Sequence, residues 1–175
     1  MQANIYIEAD NKAPRRQKRK YGYVLECICR GQTRTVEQFG SIEETFHGTM
    51  VTALEKALIR FNKPCEITVH APDTWLLDML ENQMQKWAAG DFLNSQGKPI
   101  SYQKQWMHIW LLAKRHEIYG QRGRHAYSEW MKEAMKNAGN REDLSVPGAD
   151  QGREERDHPE KTHAPGEEVP ASHAV

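Results

Sequence analysis

Polar and apolar positions near the start of the chain follow the two-residue period of β-strands. Residues 3–8 (ANIYIE) and 21–29 (YGYVLECIC) alternate polar with apolar side chains or carry dense β-formers, and residues 32–39 continue in the same way. From residue 43 to residue 61 the spacing changes to three and four, which places the apolar side chains on one face of a helix: Phe46, Met50, Leu54, Ala57, Leu58 and Phe61. The pattern therefore predicts three strands followed by a helix.

The next part of the chain alternates between the two periods. A strand is predicted at residues 66–70, helices at 73–87 and 101–114, a short strand at 116–119 and a last helix at 127–137. Antiparallel strands that are followed by alternating strands and helices are typical of a mixed sheet covered by helices. We therefore predict an α/β fold with a mixed five-stranded sheet flanked by helices.

Residues 138–175 differ in composition from the rest. They contain four Lys or Arg against nine Asp or Glu, a net charge of −5, whereas residues 1–137 carry +5. They also contain four prolines, four glycines and no aromatic residue, a composition that cannot bury enough surface to order itself. We predict one domain at 1–137 and a disordered acidic tail at 138–175. The tail either makes the protein more soluble or competes with nucleic acid for the basic domain.

No apolar run approaches the roughly 18 residues that a membrane-spanning helix needs, and the N-terminus lacks a charged-then-apolar signal segment. We expect a cytoplasmic protein that does not associate with membranes. The three cysteines, Cys27, Cys29 and Cys65, are odd in number, and the first two alternate within a predicted strand. This pattern favours buried thiols over a disulfide framework or a zinc site.

Four local motifs add a family resemblance. They are IYIEAD at residues 5–10, KYGYVL at 20–25, KPCEITVHAPDTWLL at 63–77 and KWAAGDFLNSQGKPISYQKQW at 86–106. The last is the most specific. Its aromatic residues Trp87, Phe92 and Trp106 and the Gly-Lys-Pro at 97–99 closely follow the spacing of the segment that handles substrate in one enzyme family. Together the motifs resemble bacterial ribonuclease H over residues 3–137. The resemblance implies the ribonuclease H-like fold.

The resemblance also implies a reaction, the cleavage of the RNA strand of an RNA/DNA hybrid by a pair of Mg²⁺ or Mn²⁺ ions held by carboxylates. At the first carboxylate position of the family this chain has Glu8. The second falls on Met50 and the third on Pro72, and the fourth is Ser128 or, with a shift of one residue, Glu129. A thioether cannot replace a carboxylate as a ligand of Mg²⁺. The carboxylate set therefore looks degenerate.

Displaced acids offer an alternative site. Asp10 would share a strand face with Glu8, and a bend at the strand end would bring it near Asp73. The set Glu8, Asp10, Asp73 and Glu129 is thus a candidate catalytic group, with Glu8 and Asp73 as metal ligands. Asp73 also suits the start of a helix, where its role would be capping. His125 stands where the family often has a mobile histidine, and an ordinary surface histidine is the alternative.

Two further groups of residues predict binding to nucleic acid. The first is a basic cluster on the connection between the first two strands, which suits contact with phosphates or is simply solvated: Arg15, Arg16, Lys18, Arg19 and Lys20. The second combines charge and aromatic surface in the substrate-handling segment: Lys86, Trp87, Phe92 and Lys98. Trp87 also fits a core position, and Trp106 and Trp110 are expected to pack inward.

Three functions remain open. The first is a ribonuclease H-like protein that binds nucleic acid, an RNA/DNA hybrid or double-stranded RNA, with weak or absent cleavage. The second is an active hybrid-specific endoribonuclease that uses the displaced acids with Mg²⁺ or Mn²⁺. The third is a protein-interaction module that keeps only the fold. Fold alone does not decide among them.

Overall fold

The five strands form one mixed sheet in the order β3-β2-β1-β4-β5 in a computed structural model that describes residues 1–142. β1 (Gln2–Ala9), β2 (Gln17–Cys29) and β3 (Gln32–Glu44) are antiparallel neighbours. β4 (Glu66–Ala71) lies parallel to β1, and β5 (Glu117–Arg122) lies parallel to β4. The predicted mixed five-stranded sheet is confirmed.

The helices follow the predicted order, with different bounds. They are α1 (Phe46–Leu58), α2 (Thr74–Asp78), α3 (Met84–Ala89), α4 (Gln103–Ala113) and α5 (Ser128–Glu142). The single helix predicted at 73–87 is divided by a π-helical segment at Met79–Gln83. None of the helices within residues 1–142 is long and apolar enough to span a membrane.

Several predicted boundaries were wrong, and three of them bear on the site. α1 begins at Phe46 rather than at residue 43, because β3 continues to Glu44 and the Thr45 hydroxyl then caps the helix by accepting from the Gly48 N–H at 3.1 Å. β2 begins at Gln17, so part of the basic cluster lies in a strand and not on the connection. α5 continues to Glu142, past the boundary predicted at residue 137, and the rest of the acidic tail lies outside the described residues.

The sheet separates two apolar layers, because alternate residues of each strand point to opposite faces. Ile5 and Ile7 of β1 belong to the larger core beneath α1 and α4, together with the fully buried Trp106. Tyr6 points to the other face and packs against Met131 of α5. The inward packing predicted for Trp106 is confirmed.

The β5 edge of the sheet is closed by the π-helical segment. The Gly120 N–H donates to Glu81 Oε1 at 2.7 Å, and Arg122 donates to Glu81 Oε2 at 2.8 Å and to Asp78 Oδ1 at 2.6 Å. A Cβ at Gly120 would lie 2.8 Å from Glu81 Oε1, so the glutamate side chain would have to shift if this residue were not glycine. The carboxylate therefore satisfies an edge amide that would otherwise be available to another strand.

Candidate functional site

The candidate site lies at the carboxyl edge, which we define as the end of the sheet where β1 and β4 stop, together with the first turns of α1, α2 and α5 beside them. β1 and β4 are parallel neighbours, so Ala9 and Ala71 end at the same side of the sheet. Carboxyl ends of parallel strands are where α/β proteins commonly place functional groups. Each predicted acid can be located relative to this edge.

Glu8 lies inside the protein. It is 1% exposed, and its Oε2 is 3.8 Å from Nε2 of His125, whose side chain is 2% exposed. His125 Nε2 donates to the Ile7 carbonyl at 3.0 Å, and Glu8 Oε1 has no hydrogen-bond partner among the described residues. The interpretation of His125 as a surface residue was wrong, because its imidazole fills the space between β1 and the start of α5.

A second carboxylate, that of Glu26 in β2, links β1 to the residue before α5 by hydrogen bonds. Glu26 Oε1 accepts from Asn4 Nδ2 at 2.9 Å and from the Tyr6 hydroxyl at 3.5 Å, and Glu26 Oε2 accepts from the Tyr127 hydroxyl at 3.3 Å. Burial, followed by the nearby Glu26 charge, raises the pKa of Tyr6 to about 12. Tyr6 therefore stays protonated and remains a donor at neutral pH.

Asp73 is the N-cap of α2, as the alternative from sequence predicted. It is 2% exposed, and its Oδ1 accepts from the backbone N–H of Trp75 at 3.1 Å and of Leu76 at 3.3 Å. Its Oδ2 accepts from His47 Nδ1 at 2.8 Å. Both carboxylate oxygens are therefore engaged in the fold, which argues against the predicted role of Asp73 as a metal ligand.

His47 was not predicted from the sequence. It lies in the first turn of α1, is about half exposed, and its ring packs 4.7 Å from that of Trp75. The resemblance placed Met50 at the second carboxylate position, but Met50 is fully buried in the core. The α1 residue that contacts Asp73 is His47. His47 lies in the first turn only because α1 begins at Phe46, and the start predicted at residue 43 would have placed it in the second turn.

The other two acids lie in a separate groove of about 810 Å³ between the end of β1 and α5. Asp10 is exposed, and its Oδ2 accepts from the Lys20 N–H at 3.1 Å. Glu129 is 67% exposed and pairs with Arg124 at 3.2 Å. Ser128 is buried, and its hydroxyl accepts from the His125 N–H at 3.0 Å. The structure thus brings Asp10 and Glu129 to one groove and leaves Glu8 and Asp73 elsewhere.

These residues do not fit a pair of divalent cations. Hard cations are bound by several oxygen atoms that converge on one point. Glu8 faces a histidine inside the protein, both Asp73 oxygens accept hydrogen bonds, and the groove of Asp10 also contains Lys20 and Lys132. Within residues 1–142, no group of three or more His, Cys, Asp or Glu side chains is arranged to hold a metal ion.

The basic cluster divides into exposed and buried members. Arg15, Arg16 and Lys18 are exposed, and Lys20 is partly buried with its Nζ donating to the Met135 carbonyl at 2.8 Å. Arg19 is fully buried, so its predicted direct contact with phosphate was wrong. Its guanidinium turns inward because the carbonyls of the preceding loop accept from it.

The segment at residues 86–106, which was predicted to handle substrate, is also only partly exposed. Lys86 and Lys98 face solvent, whereas Trp87 is half-buried with its ring edge-to-face with Trp106 at 5.5 Å. Phe92 is 6% exposed and belongs to the main core, so its prediction as binding surface was wrong. The aromatic spacing that suggested a ligand surface largely reflects packing beneath this loop.

Acid is expected to destabilise the domain through its buried histidines. Burial lowers the pKa of His125, His70 and His116. The unfolded chain then takes up protons first, so stability is complete above about pH 6.5 and falls as the pH drops towards the folded-state values. Urea denaturation at about pH 7.5 and about pH 5.5 should show this loss, and His125→Gln should reduce it. An unchanged pH dependence in that variant would contradict the assignment.

Removing the Asp73 carboxylate should cost stability rather than chemistry. We expect Asp73→Ala to lower the free energy of unfolding by about 1–2 kcal/mol, because α2 loses its N-cap. Asp73→Ser keeps a capping oxygen while losing the His47 contact, and it should retain most of the stability. Thermal denaturation of the three proteins measures the difference. Equal losses in both variants would mean that the cap contributes little.

No family model matches the chain. A protein named Ribonuclease H from Gluconobacter oxydans (strain 621H) is 32% identical over 98 residues, which is 55% of this chain and 64% of that protein. Three further proteins of the same name are 28% to 31% identical. The chain spans between about half and two thirds of the length of these relatives.

Solved structures agree on the fold. A foamy viral protease-reverse transcriptase in complex with an RNA/DNA hybrid matches 82% of this chain and 20% of its own, with a TM-score of 0.58 and 14% identity. A type 1 RNase H with the type 2 active-site motif matches 80% of this chain and 74% of its own, with a TM-score of 0.57 and 14% identity. The chain therefore has the ribonuclease H fold, and the sequence resemblance to bacterial ribonucleases H is confirmed over about half its length.

Proposed function

We propose that this is a ribonuclease H-like protein that binds nucleic acid, with an RNA/DNA hybrid as the preferred ligand, and that its cleavage activity is weak or lost. The single observation that carries the proposal is the state of Asp73. Both of its carboxylate oxygens accept hydrogen bonds from the protein, two from α2 and one from His47. Three of the roughly four lone-pair sites of this carboxylate are therefore used by the protein, and a cation would have to compete with His47 and with the cap of α2 for them.

Binding is supported by exposed positive charge on two separate segments. Arg15, Arg16 and Lys18 lie beside the carboxyl edge, and Lys86 and Lys98 lie on the substrate-handling segment. Cations at these positions suit the phosphates of a duplex, where affinity comes from the release of counterions. A protein of the same fold was solved with an RNA/DNA hybrid, which makes this duplex the first ligand to test.

A second function is an active endoribonuclease that uses Mg²⁺ or Mn²⁺. The observation in its favour is that Asp10 and Glu129 line one groove, so two of the four displaced acids are near each other. The lysines in that groove reduce its negative charge, which opposes cation binding. A third function, a protein-interaction module, would leave the exposed cations without a role.

The test uses the full-length protein with a labelled RNA/DNA hybrid and, in parallel, double-stranded RNA. Cleavage is measured with Mg²⁺ and then Mn²⁺, and binding is measured at several salt concentrations. We expect salt-sensitive binding without metal-dependent cleavage. Cleavage that is removed by Asp10→Asn or Glu129→Gln would establish the active enzyme instead. Both side chains are exposed, and each change removes a charge at nearly constant shape, so neither should disturb the fold.

A further inference from the structure

The connection between β1 and β2 is folded around the side chain of Arg19. This arginine is fully buried. Its Nη1 donates to the Asn11 carbonyl at 2.7 Å, and its Nη2 donates to the carbonyls of Ala13 at 2.7 Å and Arg15 at 3.3 Å. One guanidinium therefore fixes the backbone at three alternate positions of the loop.

Arg19 has no carboxylate partner among the described residues. Its contacts are carbonyl and amide oxygens, including the Asn11 side-chain oxygen, and its Nε has no hydrogen-bond partner. An unpaired buried charge is costly, and carbonyl dipoles offset only part of that cost. The loop thus encloses one arginine side chain and carries several exposed cations on its outside.

The rest of the loop is ordered by its own polar side chains. Asn11 Oδ1 accepts from the Ala13 N–H at 3.2 Å and from Gln17 Nε2 at 2.9 Å, and Arg15 Nε donates to Gln17 Oε1 at 3.1 Å. The segment between the strands contains no glycine, and Pro14 restricts it further. Its conformation is thus held from within by Arg19 and Asn11.

We propose that residues 11–18 form a preorganised binding site for the phosphates of a nucleic-acid backbone, in which Arg19 is a positioning residue. Arg15, Arg16 and Lys18 are the contacting groups, and they are exposed on the outside of the loop that Arg19 holds from the inside. The inference rests on the proposed function for its ligand. It reverses the role predicted for Arg19 from sequence, from direct contact to support.

Geometry explains why arginine is needed at this position. The planar guanidinium carries five N–H donors in a fixed fork and so reaches carbonyls on different sides. A lysine keeps the charge but gathers its three donors on one nitrogen atom. Lysine at residue 19 would therefore leave some of these carbonyls without a donor and loosen the loop. Loss of preorganisation adds an ordering cost each time a ligand binds.

The test compares Arg19→Lys with the wild-type protein and with Lys63→Gln. Lys63 is an exposed cation near the amino end of β4, so its replacement shows how much binding depends on a cation outside the loop. Binding of a labelled RNA/DNA hybrid and of heparin, a polyanion without bases, is titrated at several salt concentrations. Hydrogen exchange of the amides of residues 11–18 is measured without any ligand.

We expect Arg19→Lys to weaken binding of both probes roughly tenfold, because the loop that carries the contacting side chains is no longer ordered before binding. The dependence of affinity on salt should stay unchanged, because the number of phosphate contacts stays the same. The loop amides should exchange faster than in the wild-type protein. Asn11→Ala, which leaves the Arg19 bonds to backbone carbonyls intact, should act in the same direction and guards against a folding defect in Arg19→Lys. Lys63→Gln should leave loop exchange unchanged.

The outcomes separate this inference from the proposed function. If Arg19→Lys and Asn11→Ala bind both probes as tightly as the wild-type protein, Arg19 is not a positioning residue for binding, whatever the ligand. If the wild-type protein binds heparin but not the hybrid, the proposed function fails while the loop remains an anion site. If it binds neither, both fail.

Discussion

Replacement of Arg15, Arg16 and Lys18 by glutamine in one variant is expected to weaken binding of an RNA/DNA hybrid roughly 100-fold at about 0.1 M salt. Each phosphate contact contributes about 0.9 to the slope of log affinity against log salt concentration on a duplex, so the slope should fall by between two and three. All three side chains are exposed and lie on the loop or the first residues of β2. A titration by fluorescence anisotropy at several salt concentrations measures both quantities.

A matched variant replaces Lys56, Lys63 and Lys114 by glutamine. These three cations are equally exposed, and they lie at the opposite end of the sheet, near the starts of β4 and β5. This control removes the same total charge and should change hybrid affinity far less. If the two triple variants lost affinity equally, binding would depend on overall charge and not on the loop. If neither lost affinity, the hybrid would be bound by a surface other than this loop.

Met50→Glu is expected to destabilise the domain by at least about 4 kcal/mol, since it places a carboxylate where there is neither water nor a partner. Met50 lies on the buried face of α1 and is fully buried, so the new charge must be neutralised or the helix displaced. Urea denaturation followed by tryptophan fluorescence measures the loss.

Two comparisons make this result specific to the position. Met50→Leu nearly conserves volume and should cost less than about 1.5 kcal/mol. His47→Glu puts a carboxylate on the first turn of the same helix at an exposed position, and it should be tolerated apart from repulsion by Asp73. If Met50→Glu were as stable as the wild-type protein, the side chain of residue 50 would not be enclosed in the core as the structure has it.

Much of the fold was predictable because its signals are local. The alternation in β1 and the three- and four-residue spacing in α1 depend only on which side chains must be buried, and both elements are present. The break at Met79–Gln83 was not predictable, because the apolar spacing of a π-helical segment differs little from that of an α-helix over so few residues. Strand ends such as that of β3 depend on the partner strand, which the spacing within one segment does not reveal.

The candidate site was less predictable, because its residues are defined by partners that are far away in sequence. A degenerate carboxylate set was predicted from residue types alone and stays a prediction. The engagement of Asp73 by His47, however, joins residues that are 26 positions apart. The burial of Glu8 depends on His125 from the far end of the domain. In the sequence, Arg19 is one of several adjacent cations. Its burial follows from the path of the loop backbone, which brings carbonyls to its guanidinium.

The capping role of Asp73 affects how relatives of this protein should be compared. Folding stability alone favours an aspartate or another capping residue at this position, because its loss would remove the hydrogen bonds that cap α2. An aspartate found here in another chain is therefore no sign of retained catalysis. The informative position is its neighbour Pro72, onto which the third carboxylate position of the family falls in this chain.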